Sequence, residues 1–311
     1  MNHLVAMTKT LQAEQLGTVP QIARIAGAEE RSVTLDGVTW RYLFAGSGPP
    51  LLLIHGFMGY SFSWRFNLQA LSRYFSVYAM DLPSCGFSQR TNANECSLVG
   101  DAQGVLRFME HFGIENADIV GSSRGGGQLH RLRRLVLISP INPWSSHGKV
   151  LTRLFATTLG GLYIVHVQPR LHVISRRYIK ALYGDPLRIA PGTFEGYRAG
   201  LDPPGSFEHL VRILRSWHDD LEAIGQAINE IGGLPTLLLW GSRDRAVYPS
   251  SIHQLQRQLK NSALVMFQGA GHMPYEEVPD EFNRVLCDFL LHDAPRTRFE
   301  IAADRKEAIG S

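Results

Sequence analysis

Gly121-Ser-Ser-Arg-Gly125 sets Ser123 between two glycines at the end of a short apolar run. A turn of the form G-x-S-x-G lifts a hydroxyl clear of a sheet and aims the following N–H groups at a reacting oxygen; the glycines avoid a clash in the sharp bend. A hydroxyl is a poor nucleophile at neutral pH and needs a base beside it. Of the chain's 12 histidines, His272 stands apart, because Gly269-Ala-Gly-His272 leaves the last apolar run through a glycine-rich turn. Imidazole suits the task, with an ordinary pKa of about 6.5. The third group is Asp244, in Gly241-Ser-Arg-Asp244 after the run that ends at Trp240. A carboxylate there orients the imidazole and stabilises its charged form. Asp219 and Asp220 are alternative carriers of that role. The chemistry implied is acyl transfer through a covalent serine intermediate.

The elements that must hold these groups are legible as alternating short apolar runs and helical patterns. Val33 to Phe44 alternates apolar and polar residues around Asp36-Gly37, as a two-residue hairpin does. Leu51–Ile54, Phe75–Met80, Ala117–Val120, Leu135–Ile138, Thr236–Trp240 and Ala263–Phe267 are runs suited to strands buried on both faces. Ser97 to Phe112 has helical spacing, with Ser97 to cap it and Gly113 to end it. Ile252, Leu255 and Leu259 mark another helix, and Phe282 to Leu290 a closing one. The class expected is α/β, a mainly parallel sheet flanked by helices. Ser123, Asp244 and His272 each follow a strand, so all three belong at the sheet edge where ligands bind.

The 311 residues divide into an N-terminal extension (1–31), a core (32–139 and 234–292), an inserted helical cap (140–233) and a disordered tail (293–311). Hydrophobic residues make up 44% and charged residues 19%, a globular balance with net charge +3. The densest basic stretch, His130 to Arg134, reads as a solvated loop rather than a nucleic-acid patch. Three cysteines without metal-ligand spacing argue against a disulfide framework and fit a reducing, cytoplasmic setting. No run is long and apolar enough for a transmembrane segment. Neither a metal nor a cofactor is called for, and the sequence leaves the oligomeric state open.

Together these residues resemble the α/β-hydrolase superfamily, in particular its capped serine esterases and carbon–carbon bond hydrolases. The chain order Ser123, Asp244, His272 is the order that fold uses. His55-Gly-Phe57 after Leu51–Ile54 is similar to the family's HG turn, and Asp81-Leu-Pro-Ser-Cys-Gly-Phe-Ser88 to its D-x-P-G-x-G-x-S loop. The resemblance, covering residues 32–292, implies that the backbone N–H groups of Phe57 and Arg124 form the oxyanion hole. It gives Asp81 a structural role. A serine at the nucleophile position argues against dehalogenase and epoxide-hydrolase relatives, which carry Asp there. The pattern departs in one place. Only Arg124 to Arg133 joins Ser123 to the next strand, where a parallel crossover takes about a dozen residues or more. A very short helix or a partly extended link is expected. Sheet surface left bare there would lose several kcal/mol at about 25 cal/mol per Å2.

The leading expectation is hydrolysis of a small carboxylic ester through an acyl-enzyme, without a cofactor. Trp144, Phe155, Tyr163 and Tyr178 are the cap aromatics expected to line the substrate pocket. Arg124 stands beside the nucleophile, where it either favours an anionic substrate group or turns to solvent. Two other readings use the same residues: hydrolysis of a carbon–carbon bond in a diketone-like acid, and a non-catalytic scaffold that still holds a ligand.

Overall fold

The computed structural model describes residues 25, 27–91, 96–123, 132–145 and 149–292. The apolar runs become strands β1 (Glu29–Leu35), β2 (Val38–Ala45), β3 (Pro50–Ile54), β4 (Ser76–Met80), β5 (Ala117–Ser122), β6 (Leu132–Ile138), β7 (Thr236–Gly241) and β8 (Ser262–Phe267). They lie in the order β1-β2-β4-β3-β5-β6-β7-β8. β1–β2 and β2–β4 are antiparallel, and every later pair is parallel. The β1–β2 hairpin turns on Asp36 (φ 48°) and Gly37 (φ 79°), the paired left-handed residues that match the right-handed twist of the strands.

Helices close both faces. The short helix α1 (Leu68–Leu71) precedes β4, and α2 (Leu98–His111) lies between β4 and β5. Between β6 and β7 come α3 (Lys149–Ala156), α4 (Thr158–His166), α5 (His172–Leu182), α6 (Thr193–Ala199) and α7 (Ser206–Glu230). α8 (Ile252–Gln258) joins β7 to β8; α9 (Pro274–Glu277) and α10 (Pro279–Leu291) follow β8. The expected cap of α2 forms as the Ser97 Oγ accepts from the Gly100 N–H at 3.0 Å, and Gly113 (φ 64°) ends the helix.

Alternate residues of the strands feed two apolar clusters, as the period-two geometry of a strand requires. Leu51, Leu53, Val120, Val136 and Ile138 pack with Phe282, Leu286 and Leu290 of α10. Leu52, Ile54, Ile119, Leu135 and Leu137 pack with Val105, Phe108 and Met109 of α2 and Ile252 and Leu255 of α8.

Two expectations need correction. The stretch from His130 to Arg134 is not wholly a solvated loop: β6 begins at Leu132. There Arg133 pairs with the fully buried Asp118, its Nε donating at 3.2 Å. Burial pushes the Asp118 carboxyl up, and Arg133 only partly opposes it. Nor is the sheet bare beside the short link. All of β5 and residues 135–138 of β6 are buried, and their side chains belong to clusters that include α10 on one face and α2 on the other. The link itself (124–131), residues 1–24 and the tail 293–311 lie outside the described residues.

Candidate active site

Ser123 is the first residue beyond β5, and its backbone is gripped by the neighbouring strand and its continuation. Its N–H donates to the Ile138 carbonyl at 2.8 Å, and its carbonyl accepts from the Ile141 N–H at 3.1 Å. Between these anchors its φ is 54°. A non-glycine residue held there stores about 1–3 kcal/mol of strain, which persists only when the surroundings over-determine it. The turn after β3 closes against it: a Cβ on Gly56 would lie 3.0 Å from the Ser123 Cβ. The HG turn therefore abuts the candidate nucleophile. His55 is used up within that turn, its Nδ1 donating to the Gly56 carbonyl at 2.8 Å while its Nε2 accepts from the Leu82 N–H at 3.1 Å. It is a structural histidine.

His272 and Asp244 meet across two strand ends. The His272 Nδ1 and Asp244 Oδ2 are 2.9 Å apart, and the other carboxylate oxygen accepts from the N–H groups of Ala246 (2.8 Å) and Val247 (3.0 Å). Burial alone would push the Asp244 carboxyl up. The His272 ring and the Val247 N–H more than offset it and hold the group below the usual carboxylate range. An ionised carboxylate only accepts, so Nδ1 must carry a proton, and in the neutral ring the lone pair then sits on Nε2. No hydrogen bond joins the Ser123 hydroxyl to this ring among the described residues. The alternative acids are placed elsewhere. Asp220 accepts from the Leu98 N–H at 2.7 Å, at the start of α2, and Asp219 is exposed.

The His272 turn rests on residues that the sequence reading passed over. Its own N–H donates to the Leu182 carbonyl at 2.7 Å. Glu277 gathers the N–H groups of Gly271 (2.6 Å), Gly184 (3.0 Å) and Asp185 (3.3 Å). One carboxylate thus bolts the turn that carries His272 to the chain just beyond α5. Desolvation pushes Glu277 above the usual range, and the Gly271 and Gly184 donors only partly offset it. The sequence carries no signal for this: the burial of Glu276 and Glu277, four and five residues after His272, is set by the fold, and acids so buried need partners.

Of the oxyanion-hole residues, the Phe57 N–H is taken by no other group among the described residues, and Arg124 lies outside them. Asp81 is structural: it accepts from the N–H groups of Ser61 (2.8 Å) and Phe87 (2.9 Å) and pairs with Arg41 at 3.2 Å. A cavity beside the HG turn is lined by Phe57, Met58, Cys85, Arg90, Leu201 and Leu210, among others. The expected cap aromatics are not among its walls. Phe155 and Tyr163 stack with centroids 6.1 Å apart and pack, with Phe57 and Met58, on Ile164 and Leu210. Trp144 and Tyr178 are exposed. No group of three or more His, Cys, Asp or Glu side chains suited to a metal ion occurs among the described residues.

Comparison with known proteins agrees with this architecture. Residues 49–279 match the profile of the family described as alpha/beta hydrolase fold. The uncharacterized hydrolase YugF of Bacillus subtilis (strain 168) is 27% identical over 273 residues, which span 84% of this chain and 97% of YugF. Among solved structures, the epoxide hydrolase CorEH without ligand superposes with a TM-score of 0.74 at 19% identity, covering 85% of this chain and 99% of CorEH. The 2-hydroxy-6-oxo-6-phenylhexa-2,4-dienoate hydrolase (BphD) from Rhodococcus sp. strain RHA1 gives 0.72 at 22% identity, with 85% and 99% covered. At such identities the two structures bear on the fold alone.

Proposed function

The chain belongs to the α/β-hydrolase fold family, and from that premise we propose that it is a serine hydrolase that cleaves a small carboxylic ester through an acyl-enzyme. The observation that carries this reading is the 2.9 Å Asp244–His272 pair, on the sheet edge where Ser123 sits in a left-handed turn. The Ser123 Oγ attacks the acyl carbon as His272 Nε2 takes its proton. The Phe57 N–H stabilises the oxyanion, joined by the Arg124 N–H on the strength of the family resemblance. Collapse of the tetrahedral intermediate breaks the ester C–O bond, and the leaving alkoxide takes the proton from His272. Water, deprotonated by the same nitrogen, then attacks the acyl carbon; collapse breaks the bond to Ser123 Oγ, which takes the proton back from His272 as the acid leaves. Residues 140–233 act as a cap over this edge.

Labelling with a fluorophosphonate tests the reading. Wild type should react and Ser123→Ala should not, with ester turnover falling in parallel. Absence of labelling in well-folded wild type sinks the hydrolase reading and favours a ligand-binding scaffold, the alternative that the short β5–β6 link supports.

A further inference from the structure

From Pro140 to Gly184 the chain contains no Asp or Glu, yet carries Lys149, Arg153, Arg170, Arg176, Arg177 and Lys180. Because the whole chain is only +3, the remainder is net negative and the positive charge is concentrated in this stretch. Arg153, Arg170, Arg177 and Lys180 are exposed. Arg176 is paired with Glu195 at 3.2 Å.

The same stretch exposes large aliphatic side chains. Leu151 and Leu154, three apart on α3, are 56% and 57% exposed. Leu159 and Leu162, three apart on α4, are 80% and 51% exposed. Residues three apart share a helix face. The opposite face of α4 is spent on α7: Ile164 packs on Leu210, Val211 and Leu214, and Gly161 lies against Val211. Thr157 ties the two helices into a hairpin, accepting from the Gly160 N–H at 3.1 Å and donating to the Leu154 carbonyl at 2.7 Å. The leucines therefore face away from the core. No helix among the described residues is long and apolar enough to cross a membrane.

We propose that the α3–α4 hairpin docks the protein on an anionic lipid surface, its leucines entering the headgroup boundary while Arg153 and the exposed cations that follow it in sequence meet acidic lipids. Apolar side chains on short helices flanked by Lys and Arg, with no acid between them in sequence, are the composition that binds such an interface without spanning it. The apolar part of this face is leucine, which is under-represented among the residues that carry binding energy between proteins. The inner side of the docked hairpin, through Ile164 of α4, packs in the same cluster as Phe57 and Met58 of the HG turn. The binding itself does not depend on the hydrolase reading.

Flotation of the full chain carrying Ser123→Ala, with vesicles of phosphatidylcholine alone or mixed with about one-third phosphatidylserine, tests this. The protein should float with the mixed vesicles and bind pure phosphatidylcholine at least about tenfold more weakly. The exposed pairs Leu159→Ser with Leu162→Ser, and Arg153→Glu with Arg177→Glu, should each weaken binding about tenfold or more at unchanged melting temperature. The proposal is overturned if the folded protein stays with neither vesicle, or if both pairs leave binding unchanged. It is also overturned if sedimentation velocity shows a dimer that the leucine pair dissolves, which would give the face to a second copy of the chain.

Discussion

The Asp244 carboxylate is deeply buried, where an isolated charge would take up a proton. Instead Ala246, Val247 and His272 donate to it, and folding lowers its pKa. Asp244→Asn would present an amide N–H to His272 Nδ1 and favour the opposite tautomer, with the proton on Nε2 where the base is needed. If the hydrolase reading holds, kcat should fall by about three to four orders of magnitude with KM little changed, measured on a chromogenic ester. The sign of the pH effect follows from the lowered pKa. Ionisation of Asp244 stabilises the fold above the unfolded value of about 3.9, and that stabilisation is lost as pH falls through the lower folded value. In denaturant titrations, the stability advantage of wild type over Asp244→Asn should be full near neutral pH and shrink below about pH 4.

At the scale of elements, the turn that carries His272 and the chain after α5 touch backbone to backbone. A Cβ on Gly184 would strike the Gly269 carbonyl oxygen and lie 2.6 Å from the Ala270 carbonyl carbon. Gly184→Ala should therefore cost about 1–3 kcal/mol of stability, read from urea unfolding. Glu277 holds the same junction by accepting only backbone N–H groups. In Glu277→Gln, whichever way the amide turns, it sets donor against donor. On the proposed hydrolase reading, ester turnover should drop by about tenfold, mostly in kcat, because His272 is misplaced. The β5–β6 pairing is the converse case. The strands run parallel from Ala117↔Leu132 to Ser122↔Ile138, joined through fewer residues than a crossover ordinarily uses. Side chains of both strands belong to buried clusters that include α10 on one face and α2 on the other.

Across the whole molecule, the helical segment and the core are joined by a buried ionic cluster. Arg65, just after the turn Ser61–Trp64, grips Glu276 with both guanidinium arms at 2.7 Å. Tyr183 and Tyr197, from the segment between β6 and β7, donate to the same carboxylate, and Arg65 reaches Thr193 at 3.0 Å. Burial pushes both phenols far above their ordinary value, with Glu276 adding to the shift, so they stay protonated donors at any working pH. Removing one partner strands the other charge. Arg65→Met should lower unfolding stability by about 3–5 kcal/mol, and Arg65→Met with Glu276→Leu should recover part of that loss. If the double variant were no better than the single one, the cost would lie in packing rather than in the unpaired carboxylate.

The sequence by itself marked the buried strands of the core, the limits of the helix over 98–111 and which residues follow strand ends. Those follow from local rules: a buried strand needs a run such as Leu51–Ile54, Ser97 caps because its hydroxyl reaches an N–H three residues on, and Asp36-Gly37 permits two left-handed residues in succession. It also singled out His272 and Asp244, because a glycine-rich exit from a strand is a local feature. Only tertiary structure decided between Asp244 and Asp220, since both acids are buried and nothing nearby in sequence says that one faces an imidazole while the other caps a helix. The same holds for Glu276 and Glu277, for Arg133 on Asp118, and for Trp144 and Tyr178, which a pattern of aromatics made pocket residues and the packing left exposed. The physical reason is range. Propensity and periodicity act over a few residues, whereas the partner that stabilises a buried charge comes from wherever the chain returns, here more than 200 residues away for Arg65 and Glu276.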